Sequence, residues 1–327
     1  MKKTVVLTLM LASLAASTLA VEGDGGYAGA FLQMPLGARP TAMGGAYVGV
    51  SDDAAGAIFN PGGLAGMTHR EFGSSYRIMT LDRKLGQAAI FLPIQGEAIL
   101  GLHWIYAASG SVPERDQDGA LLGRDFSQTT HQFSILFAKR FEPWLGVGAN
   151  MSYLYSRLPK ISANSVGFDI GGMLFVNELM DREKRDLFFV QDLKIGLVMR
   201  NITKQFRWNS EKYMVEYYVG GQGVEVTDKF PIEAALGVSA RFLNRKLLVA
   251  YDAVKAERQS FKIRAGAEYQ VSDQFSLRSG YSIYGFAAGA GFAFHPRPNQ
   301  TLGIDYAFST GRADAGSEHL FSIGLKF

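Results

Sequence analysis

The chain has 327 residues, of which 47% are hydrophobic and only 19% charged, whereas about a quarter of residues are charged in an ordinary soluble domain. A formal net charge of +3, with no basic run interleaved with aromatics, gives no footing for a nucleic-acid partner. The absence of cysteine excludes disulfides, thiol catalysis and thiolate metal sites.

The first element is a signal peptide over residues 1–20. Lys2 and Lys3 precede an apolar run from Val5 to Ala16, and small residues end at Thr18-Leu19-Ala20, a cleavage site before Val21. That run is too short to cross roughly 30 Å of hydrocarbon as a helix. No later stretch reaches the roughly eighteen apolar residues that a spanning helix needs, so an exported chain without a membrane helix is expected.

Residues 21–70 do not alternate. They are dense in Gly and Ala and contain Gly37-Ala38-Arg39, Met43-Gly44-Gly45-Ala46-Tyr47, Ser51-Asp52-Asp53-Ala54 and Asn60-Pro61-Gly62-Gly63-Leu64. Small residues permit close backbone packing, and Asn-Pro followed by two Gly enforces turns. Both properties suit a compact plug inside a lumen.

From residue 71 to the end, alternating segments are separated by turns. Strands are expected at 72–79, 86–94, 98–107, 129–140, 145–156, 165–175, 193–202, 232–242, 247–253, 261–269, 275–282, 285–294, 301–308 and 319–327. Fourteen segments of this length can each cross a bilayer when tilted by roughly 40°. Alternation alone also fits a soluble sandwich. The apolar face, however, carries aromatics near strand ends (Trp104, Tyr106, Tyr153, Tyr155, Tyr269, Tyr281, Phe294, Tyr306), as interfacial girdles require. Short links at 142–143, 244–245, 272–273 and 295–300 oppose longer ones at 108–128, 203–230 and 309–318. The charged link 177–192 is a long exception on the short-turn side. An open sheet edge in lipid would leave backbone groups unpaired, so the strands must close into a barrel with both termini on one side. The expected architecture is an all-β transmembrane antiparallel barrel over 71–327, plugged by 21–70.

The opposite, lumen-facing positions place Lys194, Arg200, Glu233, Arg241, Lys262, Arg264, Glu268, Arg278 and Asp305 inside. Any barrel interior must be polar and paired. The functional reading of the same residues is a lining that holds the plug or guides a solute, with Arg39, Asp52 and Asp53 as natural partners. In the long link 203–230, Phe206, Trp208, Tyr213, Tyr217 and Tyr218 could cover the mouth or dock a partner. The five histidines show no metal spacing, and no Gly-x-Ser-x-Gly elbow or phosphate loop occurs. Hence no catalytic residue, metal or cofactor is assigned.

The run from Gly37 through Leu64 resembles the N-terminal hatch of the FadL superfamily of fourteen-stranded barrels, closest to its PorV/PorQ group. Leu302 to Phe308 and His319 to Phe327 resemble that group's last two strands, and the terminal Phe327 resembles the signal read by the barrel-assembly machinery. The family's Asn-Pro-Ala triplet is here Asn60-Pro61-Gly62, a change expected to affect local stiffness more than fold. The superfamily resemblance implies an outer-membrane channel, seated in the lipid bilayer, for hydrophobic or amphipathic small molecules. The subgroup resemblance implies instead an accessory of a type IX-type secretion system that binds secreted proteins or the translocon. A purely anchoring barrel is a third reading.

Overall fold

The computed structural model describes residues 27–327 except 96, 117, 160, 183–189, 211–222, 258, 284 and 311–315. The signal-peptide segment 1–20 lies outside the described residues.

The chain enters through α1 (Ala30–Gln33), α2 (Ala38–Ala42) and two 3-10 turns, Ala54–Ile58 and Pro61–Gly66. Three strands follow: β1 (Glu71–Ile78), β2 (Lys84–Ile94) and β3 (Ala98–Ala108). A hairpin of β4 (Val112–Arg115) and β5 (Leu121–Phe126) leads to β6 (Thr129–Glu142), β7 (Leu145–Arg157) and β8 (Ser162–Phe175). The helix α3 (Val176–Arg182) begins the long charged link before β9 (Gln191–Ile202). A second hairpin, β10 (Gln205–Asn209) with β11 (Glu225–Lys229), precedes β12 (Glu233–Phe242), β13 (Leu247–Ala256) and β14 (Lys262–Gln270). The chain ends with β15 (Phe275–Ser282), β16 (Gly285–Arg297), β17 (Gln300–Ser309) and β18 (Glu318–Lys326).

All but the two hairpins form one closed antiparallel barrel of fourteen strands. Closure comes from β1 against β18, with Glu71 opposite Lys326 and Ile78 opposite His319. No barrel edge is left for another chain to extend, which satisfies the backbone in a solvent that offers no hydrogen bonds. The expected strands are all present. One turn is tighter than the sequence indicated: β16 continues through His295 to Arg297, and β17 resumes at Gln300. We call the end bearing Arg70 and Phe327 the inner end, where the two residues exchange backbone hydrogen bonds of 3.0 and 3.1 Å. The opposite end is the outer end.

The greasy faces point away from the lumen. Leu102, Ile135, Ile170, Leu197 and Ile323 are each more than half exposed. A continuous exposed apolar wall of this kind belongs in lipid rather than water. The lumen is filled by the N-terminal segment: Leu36, Met43, Tyr47, Val48, Val50 and Leu64 are at most 1% exposed. The fit is made by bare wall. A Cβ at Gly280 would fall 2.2 Å from the Gly44 nitrogen, one at Gly266 2.3 Å from the Met43 carbonyl, and one at Gly196 2.3 Å from the Val48 carbonyl. Gly266 faces Gly280 across β14 and β15, and Gly196 faces Gly237 across β9 and β12. These cross-strand glycine pairs let backbone rest on backbone.

Candidate functional site

The segment is locked to the wall through polar groups that the alternation places inside. Arg39, on α2, is the hub. Its Nε and Nη2 donate to the Glu268 carboxylate at 2.7 and 3.0 Å in a bidentate pair. Its Nη1 donates to the Tyr47 hydroxyl (2.6 Å), Asp52 (2.6 Å) and Asp53 (2.9 Å). Arg is suited to this because its planar fork can serve several acceptors at once. Glu268 also accepts from Arg278 Nε at 2.7 Å, and Arg278 reaches Asp305 at 2.6 Å. On the other side Asp52 lies 3.9 Å from Arg241, which is 3.8 Å from Asp192. Charges of alternating sign thus run from the wall through the segment and back to the wall.

Burial opposes the charge on Arg39, yet Asp52 and Glu268 hold its guanidinium well above the ordinary arginine range. Burial likewise opposes charge on Asp52, and the Arg39 guanidinium more than offsets it, so the carboxyl sits well below the usual carboxylate range. Burial is the main cause of the raised Tyr47 phenol. Asp53 also caps the first 3-10 turn, its Oδ1 accepting from the amides of Ala55 (3.0 Å) and Gly56 (3.1 Å).

Arg200 pairs with Glu233 and donates to the Ile58 carbonyl at 2.9 Å. Arg264 reaches the Gly45 carbonyl at 3.4 Å, and Lys262 reaches Gln33 at 3.3 Å. Lys194 lies over the Phe175 ring at 5.8 Å. Arg200, Arg241, Lys262, Arg264 and Glu268 therefore all touch the inserted segment.

Sequence reasoning passed over several equally important groups. Asp252 Oδ2 accepts from the amides of Tyr47 (2.7 Å) and Val48 (2.9 Å), and Ser322 Oγ accepts from the Ala38 amide at 2.8 Å. Glu71 accepts from the Ala54 amide at 3.0 Å, and Arg77 binds the Pro35 carbonyl, Thr41 and Glu318. Asp252, Arg77 and Ser322 occupy inward positions of expected strands and Glu71 stands one residue before the first of them, in register with its inward face, so the alternation itself was the usable signal.

The turn motif acts as expected for Asn and Pro and differently for Gly. Asn60 Nδ2 donates to the Val48 carbonyl (3.1 Å) and the Gly172 carbonyl (3.0 Å), while its Oδ1 accepts from the Gly62 amide (3.0 Å). Pro61 opens the second 3-10 turn. A Cβ at Gly62 would lie 2.7 Å from the Gly171 carbonyl of β8. Gly62 is thus a matter of room against the wall, beyond any change in stiffness. Gly44 and Gly45 take left-handed φ values of 65° and 79°, a conformation that costs glycine little.

Two chambers flank the segment. The outer one, of about 430 Å³, is lined by Phe31, Met34, Met79, Leu85, Phe206 and Trp208, with Arg83 and Asp228 also on its lining. Phe206 is buried, packs 5.0 Å from Phe230 and 5.4 Å from Trp208, and joins Leu154 and Ala163 in an apolar cluster against Phe31 and Leu32. Trp208 donates to Asp228 at 2.9 Å. Of the loop aromatics, Phe206 and Trp208 are among the residues lining this chamber, and Tyr213, Tyr217 and Tyr218 lie outside the described residues. The inner chamber, of about 390 Å³, is polar, with Arg39, Asp52, Arg241, Glu268, Arg278 and Asp305 among its lining.

The barrel as a whole superposes on solved structures. The Ralstonia pickettii toluene transporter TbuX superposes with a TM-score of 0.59 at 14% identity, over 89% of this chain and 97% of that one. A Pseudomonas aeruginosa FadL homologue gives 0.59 at 13%, over 93% and 99%. The fold is FadL-like. The Pseudomonas putida toluene transporter TodX gives 0.56 at 13%, over 88% and 95%. No protein-family model and no curated protein matches the chain. At these identities the FadL-like relationship is one of fold.

Proposed function

We propose that the chain is a plugged outer-membrane channel, without enzymatic activity, that admits small hydrophobic or amphipathic molecules through its outer end. The observation carrying this reading is the outer chamber, largely apolar and lined by Phe31, Phe206 and Trp208, on the far side of the lumen segment from the charged inner chamber. An apolar solute gains by leaving water for such a cavity, at roughly 25 cal/mol per Å² buried. Two of the solved structures that share the fold are toluene transporters, which supports the same class of solute. In this reading residues 21–70 form the plug, residues 1–20 are removed on export, and the exposed Phe327 addresses the barrel-assembly machinery. Placement in the PorV/PorQ group rests on the resemblance of the run from Gly37 through Leu64 and of the last two strands. The secretion-accessory reading gains nothing from the three structures named above.

The test is uptake of a labelled monoaromatic hydrocarbon by intact cells expressing the chain. Ala107 lines the outer chamber, so Ala107→Trp should fill it and lower uptake at least fivefold at equal surface abundance. Uptake equal to that of cells lacking the chain would end the transport reading.

A further inference from the structure

A second recess lies on the outside of the wall. The outward face of β2 reads Lys84, Gly86, Ala88 and Ile90, since Leu85, Gln87, Ala89 and Phe91 are buried inward. Gly86 and Ala88 lower the wall into a shallow trough: the Tyr76 ring leans over Gly86, its Cδ2 3.5 Å from where a Cβ would stand, and Ala88 lies between Ser74 and Trp104. Register sets Tyr76 of β1 and Tyr106 of β3 on either side of Gly86, and Trp104 beside Ala88. Below them the trough opens into a groove of about 490 Å³ bounded by Phe72, Leu102, Trp104, Phe133 and Ile135, all apolar and outward. Lys84, exposed at the rim where the outer chamber also begins, stands above the groove on the same outward column of β2, four residues from Ala88.

We propose that this groove seats one acyl chain of an anionic membrane lipid, with the lipid phosphate held at Lys84. The inference rests on the membrane location proposed above and is independent of what the lumen transports. Its dimensions fit. Lys84 to Ile90 spans about 20 Å at roughly 3.3 Å per residue, which a strand tilt of roughly 40° projects to about 15 Å, half of a hydrocarbon core of roughly 30 Å. Its chemistry fits as well. Tyr76, Tyr106 and Trp104 stand where aromatic side chains meet headgroups, and a lysine at that level extends its ammonium toward a phosphate while its stem covers apolar wall. A groove in a smooth barrel wall orders a lipid because both of its sides contact the chain, which a flat wall does not offer.

The experiment is native mass spectrometry of the purified full-length barrel, offered phosphatidylglycerol or phosphatidylcholine of identical acyl chains. The wild-type barrel is expected to retain one phosphatidylglycerol with at least a fivefold preference. Ala88→Phe should abolish retention of both lipids, and Lys84→Gln should abolish the preference while leaving an apolar occupant. Leu236→Phe, on the exposed face of β12, should change nothing, and heat-modifiable migration reports closure of each variant. Undiminished retention in Ala88→Phe, or an unaltered preference in Lys84→Gln, overturns the proposal. So does conversion of a dimer to a monomer by Ala88→Phe, which would make the groove an interface between copies. Failure of the wild-type barrel to enter liposomes would sink the membrane location itself, a result distinct from lost retention in a barrel that inserts.

Discussion

Arg39 shows how one side chain can hold a folded insert in a barrel. Removing its charge leaves Glu268, Asp52 and Asp53 facing one another inside the lumen. Breaking a buried pair by removing one partner costs about 3–5 kcal/mol. The 14% exposure of the Arg39 side chain places this case at the lower end. Arg39→Gln is therefore expected to loosen the segment while leaving the barrel closed. Liposomes carrying the variant should leak a small hydrophilic dye at least tenfold faster than those carrying the wild type, with unchanged heat-modifiable migration. The pH dependence follows from Asp52. Its carboxyl is depressed in the folded state, so its contribution is complete above the ordinary carboxylate value of about 3.9. It is lost only as pH falls below that toward the depressed value. Dye leakage through the wild type should stay flat from about pH 8 to 5 and rise in strong acid; a step between pH 5 and 7 would exclude Asp52 as its source.

At the scale of elements, the glycine pairs of the wall decide whether the segment can sit at all. Gly280→Ala puts a methyl group 2.2 Å from the backbone of Met43 and Gly44, and neither backbone can retreat without moving a strand. Gly62→Ala restores the residue found in the family's triplet but places it 2.7 Å from the Gly171 carbonyl. Both variants should make the insert accessible to thermolysin, which cuts before apolar residues such as Val48 and Val50, in a barrel that still closes, with Gly280→Ala the more sensitive; protection equal to wild type in both would show that the wall yields. The strands themselves were legible because outward positions are exposed and largely apolar, while inward ones are polar, small or packed on the insert. That contrast fades at the outer rim. There β8 begins at Ser162 rather than 165 and β13 runs on to Ala256 rather than 253, with exposed Ser162, Asn164 and Lys255 on the face that elsewhere is apolar. The β4–β5 hairpin left no trace in the pattern because nearly all its residues are exposed on both faces. Contacts such as Asp252 with Tyr47 join positions 205 residues apart. Alternation says that Asp252 points inward, but only the closed wall says what it meets there.

The whole molecule places an apolar chamber at one end, a charged one at the other and a backbone-tight insert between them. A solute entering at Trp208 and leaving beside Arg241 must pass that insert, so transport requires it to shift or the solute to leave through the wall. The absence of cysteine allows a clean choice between these routes. The Ala38 amide and Ser322 Oγ are 2.8 Å apart, a contact bridged by a single side chain. A disulfide spans a similar reach, roughly 4.5–7 Å between Cα atoms. In an Ala38→Cys/Ser322→Cys protein, oxidation ties α2 to β18 without adding bulk to either chamber. If the insert must move, hydrocarbon uptake should fall to background when the pair is oxidised and recover on reduction, while each single variant transports normally. Full uptake through the oxidised protein would instead mean that the insert stays in place and that the solute leaves the lumen between strands. The charged inner chamber would then serve to hold the insert rather than to conduct.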